Sequence, residues 1–417
     1  MIRSDSLRIT KIVACVVVVA MLGSSFIVLL VSDSSRDGFD SQSGDFPGNN
    51  IGRDVDESSG EMGPPSPADV PVYPWPMHLH DELHRSFTQS PAPSTSDVLW
   101  YNFTGSWTYG SPAIAEGKVF IGARNTTGDY MFAFYQKNGT LAWKTQTLLR
   151  VSGNYGVTSS PAYSNGVVFF GGDRIYALYA SNGAIKWTVN TGNSNWGDGT
   201  ATVADGKVFI GGSDRKMYAI EQDTGNVLWT FQTQSSGGAN YGLYAAPAVW
   251  NGHAYVAACD GWVYQIMIDQ PGPIAVANHS FFTGYAMYGS PVIFDGKVYI
   301  GNGYTFKSTI NRFYALDAID LSVVWEFYPG ASTSFLSSAA IAYDKLYVGS
   351  VDGNLYVLDP YGFGGLTAVI WQYYIGNTWS SPAIASGQVF IGSKSNYLYA
   401  FDANQSGSPN YRWRYNM

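Results

Sequence analysis

Residues 201–229 read Ala-Thr-Val-Ala-Asp-Gly-Lys-Val-Phe-Ile-Gly-Gly-Ser-Asp-Arg-Lys-Met-Tyr-Ala-Ile-Glu-Gln-Asp-Thr-Gly-Asn-Val-Leu-Trp, and this stretch decides the fold. It holds four short strands joined by tight turns. Asp205-Gly206 is a two-residue hairpin signal, because both turn positions need positive φ and these residues tolerate it. Val208 and Ile210, then Met217 and Ala219, alternate with their neighbours in the period of a half-buried strand. Asp223-Thr224-Gly225 turns the chain again before Val227 to Trp229. One such unit cannot bury its own faces, so it requires neighbours.

The neighbours follow in the same chain. The unit recurs in register with Pro112, Pro161, Ala201, Pro247, Pro291, Ala339 and Pro382, in steps of 40 to 49 residues. Six units carry a glycine-ending hairpin at the same place: Glu116-Gly117, Asn165-Gly166, Asp205-Gly206, Asn251-Gly252, Asp295-Gly296 and Ser386-Gly387. The sixth unit has Tyr343-Asp344 instead. Four strands per repeat of roughly 40–50 residues define an all-β chain, a β-propeller of four-stranded antiparallel blades. Seven blades are expected over residues 71–417, eight being the alternative count. Val98-Leu99-Trp100-Tyr101-Asn102-Phe103 resembles a last blade strand without its first three. Trp100 falls in the series Trp143, Trp187 and Trp229, and Trp413 joins it. The fourth unit lacks this tryptophan; its outer strand is expected within residues 274–282, with Phe281 near the vacant position.

Composition agrees with many short strands: aromatics make up 16%, charged residues 13%, and there are 47 glycines. The net charge of −8 is concentrated in residues 33–70, and no basic run appears, which argues against nucleic acid as a partner. Residues 1–11 carry Arg3, Arg8 and Lys11. The chain then runs uncharged from Ile12 to Val31, long enough to cross a hydrocarbon core as one helix. The basic flank places everything after residue 31 outside the cytoplasm, with the propeller held at the cell membrane as a single-pass protein. A cleaved signal peptide is the rival reading. Residues 32–70 are rich in Ser, Asp, Gly and Pro and read as a disordered acidic linker. Cys15 and Cys259 are expected on different sides of that boundary and unpaired, with Cys259 a small buried hydrophobe.

Strand polarity orders the loops. The first-to-second turns are all tight, whereas the second-to-third and inter-blade loops are long and variable, so a binding site belongs on the inter-blade-loop face. Tyr109, Trp196, Tyr244, Tyr288, Phe335 and Trp379 precede the inner strands there. They read either as an aromatic funnel for a ligand or as packing between blades. His78, His80 and His84 with Asp81 would form a metal site only if neutral imidazoles converged, and their spacing matches no standard zinc pattern; a packed cap segment is the other reading. Asp173, Asp214, Asp260 and Asp352 sit at second-to-third turns as turn formers, with calcium as the alternative. Asn102, Asn125, Asn138, Asn278 and Asn404 head N-glycosylation sequons, relevant in a host that glycosylates exported proteins. No nucleophile elbow, phosphate loop or metalloprotease helix is present.

The repeat resembles the pyrroloquinoline-quinone-type (PQQ-like) propeller repeat. The resemblance rests on Ser-Pro-Ala, the Gly turn, Val-Phe-Ile-Gly, the strands Tyr314-Ala-Leu-Asp317 and Tyr399-Ala-Phe-Asp402, and Thr-Gly before Trp229. It covers residues 75–417, including the opening Trp75-Pro-Met with His80, Asp81 and His84. The family implies two roles. One is a quinone-dependent dehydrogenase with PQQ, calcium and adjacent cysteines; this chain has no adjacent cysteines and no placeable acid set. The other is a non-enzymatic, BamB-like module. The expectation is a non-catalytic binding or scaffold module with no cofactor, presenting the loop face to a protein, peptide or glycan. A divergent PQQ-dependent dehydrogenase and a structural cell-surface spacer are the alternatives.

Overall fold

A computed structural model describes residues 12–15, 26–33 and 74–417, apart from 105–109, 126–127, 148–156, 158, 192–198, 235–241, 304–310 and 331–332. Seven antiparallel sheets follow one another, each built from four consecutive strands running from the axis outward, and the seventh gains Phe87–Thr88 as a fifth strand, parallel to its inner strand. Their inner strands are Ala113–Ala115, Ala162–Ser164, Ala201–Ala204, Ala248–Trp250, Val292–Phe294, Ala340–Ala342 and Ala383–Ala385. We number these sheets blades 1 to 7.

Every first-to-second turn has two consecutive residues at positive φ, as a type I′ hairpin requires. In blade 6 the pair is Tyr343 and Asp344, at 54° and 53°. The departure expected from sequence is therefore chemical and not conformational. The Tyr343 ring packs edge-on to Phe87, and its hydroxyl accepts the Gly387 N–H at 2.9 Å. Middle strands such as Lys207–Gly211 are buried on both faces, because each blade is covered on either side. One cluster joins Phe209, Met217 and Trp229 of blade 3 to Val249, Val256 and Tyr264 of blade 4.

The repeated tryptophan links blade to blade. The indole N–H donates to a backbone carbonyl at the third-to-fourth turn of the next blade: Trp143 to Ala180, Trp187 to Gln222, Trp229 to Ile268, Trp325 to Pro360 and Trp371 to Gln405. Blade 4 solves the missing indole differently from the expectation. His279, not Phe281, stands in the tryptophan register, opposite Gln265, where other blades carry Ala or Val. Gln265 is buried, and its Nε2 donates to the Ala318 carbonyl at 2.7 Å, joined there by the Tyr255 hydroxyl at 2.6 Å. Phe281 packs edge-on to Tyr314 instead.

Residues 75–88 fill the centre of the ring. The Trp75 N–H donates to Ile114 in blade 1, and the Pro76 carbonyl accepts from Tyr163 in blade 2. His84 Nε2 meets the Thr202 hydroxyl of blade 3. The carbonyls of Glu82, Leu83, Arg85 and Ser86 accept from Val249, Ile293, Ile341 and Ile384 in blades 4 to 7. The segment read as a packed cap is thus an axial plug with at least one polar contact to each blade.

The apolar run expected as one membrane helix has extended ends. Ile12–Cys15 and Phe26–Asp33 are paired strands, and Phe26–Asp33 also pairs with Val98–Phe103. Its Val- and Ile-rich composition suits a strand wherever an open sheet edge is offered. No helix among the described residues is long and apolar enough to cross a membrane. Residues 1–11, 16–25 and the linker at 34–70 lie outside the described residues.

Candidate binding site at the channel mouth

The residue before each aligned Pro or Ala carries a hydroxyl in six of seven blades: Ser111, Ser160, Thr200, Ser290, Ser338 and Ser381. These hydroxyls act between blades. Ser160 Oγ accepts the Ser111 N–H, Thr200 Oγ1 that of Ser160, and Ser290 Oγ that of Ala246. Ser338 Oγ accepts from Ser290, and Ser381 Oγ from Ser338. Blade 4 has Ala246 at this position, and the Thr200 N–H turns to the Tyr244 carbonyl. The sequence displayed these residues as part of Ser-Pro-Ala, but their partners lie 40 or more residues away.

The hydroxyls surround a cavity of about 210 Å³ on the inter-blade-loop face, with Gly110, Tyr244, Tyr288, Leu336 and Trp379 also in its wall and His78 of the plug in its lining. Burial, then the neighbouring His84, lowers the His78 pKa to about 3, so the imidazole is neutral at physiological pH. Tyr244 and Tyr288 stack with centroids 6.1 Å apart. Trp379 is 42% exposed, and the Lys394 ammonium lies 3.3 Å from its ring centroid. Partial burial there lowers the Lys394 pKa.

Three of the six aromatic residues singled out from sequence, Tyr244, Tyr288 and Trp379, therefore line this mouth. Phe335 does not: it is fully buried and packs against Phe313, Phe327 and Tyr356 between blades 5 and 6. Its ring follows the alternative of inter-blade packing, because Gly301 leaves room for it there. Tyr109 and Trp196 lie outside the described residues. Of the sequon asparagines, Asn138, Asn278 and Asn404 are exposed, and Asn125 ends the strand Lys118–Asn125. The Asn102 side-chain amide already donates to the Gly139 carbonyl.

The histidines of the plug do not converge. His84 Nδ1 donates to the Pro291 carbonyl, while His80 lies edge-on to Trp75. Asp81 holds Arg85 at 2.8 Å; burial would raise its pKa, but hydrogen bonds from His80 and Arg85 outweigh that and bring it to about 2. No group of three or more His, Cys, Asp or Glu among the described residues is placed to hold a metal ion. The turn aspartates have other partners: Asp173, Asp214, Asp260 and Asp352 accept Tyr176, Tyr218, Tyr264 and Tyr356 hydroxyls at 2.6–2.8 Å. Cys259 is buried, its thiol pushed up to about 12 first by burial and then by Asp260.

The described cavity residues do not fit PQQ with calcium. That quinone bears three carboxylates, and among the described residues the lining has neither Arg nor Lys to meet them, Lys394 being stacked on Trp379, nor a carboxylate to hold the ion.

The blades, their indole links and the hydroxyl collar define a PQQ-like repeat propeller. More particularly, the chain belongs to the family described as outer membrane protein assembly factor BamB, whose model matches residues 133–270 and 275–415. BamB of Yersinia pestis is 25% identical over 204 residues, covering 47% of this chain and 49% of that protein. Quinohemoprotein alcohol dehydrogenase of Comamonas testosteroni is 30% identical over 113 residues, 25% of this chain and 16% of the enzyme. This chain thus spans half or less of the curated relatives it matches. Among solved structures, BamB of Moraxella catarrhalis aligns with a TM-score of 0.56 at 17% identity, over 76% of this chain and 94% of that one. A europium-containing methanol dehydrogenase aligns with a TM-score of 0.61 at 13% identity, over 82% and 85%. Both likenesses are of fold.

Proposed function

We propose that this chain is an exported, non-catalytic binding and scaffold module whose inter-blade-loop face receives a protein, peptide or glycan partner. The observation that carries the reading is the chemistry of the channel mouth. Five of its hydroxyls accept backbone N–H groups that hold neighbouring blades, burial makes its imidazole a weak base, and among the described residues its lining holds no carboxylate, lysine or arginine. Among the described residues, the single imidazole of this wall is too weakly basic to activate a hydroxyl, and no carboxylate stands by to orient it. It retains what recognition uses: stacked and exposed aromatic rings over a polar well. Kinship with BamB, named as an assembly factor, favours a protein among the partner classes. Export follows from the basic residues 1–11 ahead of the apolar run.

Two measurements on the full chain test this. A photo-crosslinking residue at Trp379 should capture a discrete partner in the native host, and one at Asp205, on the opposite face, should not. Calorimetric titration with PQQ and calcium, with dye-linked alcohol oxidation on the same sample, should show neither saturable binding nor turnover. Binding with turnover would overturn the scaffold reading.

A further inference from the structure

The turns between third and fourth strands lie on the face opposite the channel mouth, and three neighbouring ones are unlike the rest. Blades 1, 2 and 3 turn there on Asn138-Gly139, Asn182-Gly183 and Asp223-Thr224-Gly225, and the longer turn of blade 7 includes Asn404-Gln405-Ser406-Gly407-Ser408. Blades 4, 5 and 6 instead put out Ile274 and Val276, Ile319, and Phe363 and Leu366, each 64–94% exposed. Covering a neighbour's edge does not account for these side chains. In blade 4 the Pro273 carbonyl accepts the Thr230 N–H and the Ala275 N–H donates to the Thr230 carbonyl; in blade 6 the Gly365 carbonyl accepts the Glu326 N–H. These bonds cap the outer strands of blades 3 and 5, which protects two open edges. They use backbone alone and leave the apolar side chains in water.

The blade 6 turn is a stiff support. Gly364 and Gly365 both have positive φ, at 62° and 80°, and Phe363 and Leu366 exchange N–H to carbonyl bonds across them at 2.7 and 3.2 Å, as in a two-residue hairpin. Its base is fixed too. Gly362 lies too close to the Trp325 ring to admit a Cβ, and the Tyr361 hydroxyl donates to Asp344 at 3.2 Å. Phe363 is therefore held in place before any contact, so a partner that buries it pays little ordering entropy. Charge decides what that partner is. Asp269 and Asp295 are paired with Lys207 and Lys297 at 2.9 and 3.4 Å. Asp317, Asp320, Asp344 and Asp359, around the same turns, have no Lys or Arg within salt-bridge reach among the described residues, and Lys345 offsets at most one of them. An apolar rim of net negative charge repels anionic lipid and attracts a basic protein surface. We propose that the outer rim of blades 4 to 6 is a second docking surface, for a protein that offers Phe363 an apolar pocket bordered by Lys or Arg. It is separate from the channel mouth and does not depend on what the mouth receives. Asp205, in the first-to-second turn of blade 3, lies nearer the axis and outside it.

The test uses the full chain and a defined probe, a short amphipathic helical peptide of Leu and Lys, with its Leu and Glu counterpart as control. Calorimetric titration at low salt should show saturable binding of the Lys peptide and none of the Glu peptide. Phe363→Ser with Leu366→Ser should weaken binding by about tenfold or more while the unfolding midpoint stays the same. Asp320→Asn with Asp344→Asn should weaken it several-fold. Trp379→Ala, at the channel mouth, should leave it unchanged. No binding of the Lys peptide, equal binding by the Phe363 and Leu366 variant, binding of the Glu peptide, or a loss with Trp379→Ala would each overturn the proposal. Phosphatidylcholine vesicles supply the last arm. The parent chain and the Phe363 and Leu366 variant should bind them equally; a loss confined to the variant would mean a lipid contact and overturn the protein partner.

Discussion

Mild acid should loosen the plug through His84. This imidazole is fully buried, between the Pro291 carbonyl at Nδ1 and the Thr202 hydroxyl at Nε2. A carbonyl can only accept, so Nδ1 carries the proton and neutral Nε2 accepts from Thr202. Burial lowers the folded-state pKa to about 4, partly offset by the Pro291 bond and Asp81. The unfolded chain has the ordinary value near 6.5, so below that pH it binds more protons than the folded protein. The contribution is therefore complete above about pH 6.5 and is lost as pH falls toward 4. Linkage puts the loss between pH 7 and pH 5 at about 2 kcal/mol for this one group. Urea unfolding followed by tryptophan fluorescence at both pH values, in the full chain and in His84→Gln, isolates it. The variant is less stable at pH 7, but its further loss on acidification should be smaller by about 2 kcal/mol. The part of the His78 contribution that comes from burial, its larger cause, is common to both proteins and cancels from the comparison, whereas the part due to His84 is removed with it. Equal losses would show that His84 is not held neutral in the axis of the ring.

Trp229→Phe keeps most of the buried ring but strands the Ile268 carbonyl, and should cost roughly 1–3 kcal/mol in the same urea assay. Gln265→Ala with Tyr255→Phe removes both donors to the Ala318 carbonyl; the pair should cost more than the sum of the single changes, because either donor alone satisfies that oxygen. Ser338→Ala leaves the Ser290 N–H without its partner between blades 5 and 6, at about 1–3 kcal/mol by denaturant unfolding. Chelation with EDTA should leave the melting midpoint unchanged, since the turn aspartates hold tyrosine hydroxyls; a fall would revive calcium at those turns.

The parts of this fold that were legible in the sequence are the local ones. Asp205-Gly206 and its equivalents specify their hairpins without reference to the rest of the chain, and Trp143 to Trp413 mark outer strands because a large ring recurs at fixed spacing. What sequence obscured depends on distant contact. Gln265 looks like any strand residue until its amide is found on Ala318, 53 residues on. Phe335 stands four residues before the aligned Ala339, and Tyr288 three before the aligned Pro291. Phe335, like Met287 and Leu243 at the same offset, is buried, whereas Tyr288, like Tyr244, Leu336 and Trp379 three residues before theirs, lines the mouth. One residue of offset decides between them, and it emerges only once the inner strands are fixed in register. Pro93 gave no signal of its own; only the indole N–H of Trp413, which donates to its carbonyl at 3.2 Å, ties it to the last blade across 320 residues of chain.

The plug also bears on how the molecule comes apart. Stacked repeats that touch only their neighbours open piecemeal, one seam at a time. Here a single short segment is bonded to all seven blades, so releasing any one of them strains a hub shared by the other six. The same hub raises contact order: the Ser86 hydroxyl reaches the Pro382 carbonyl across 296 residues of chain. Segments made first must wait for blades made last, so assembly of this wheel should be slow and its opening close to all-or-none.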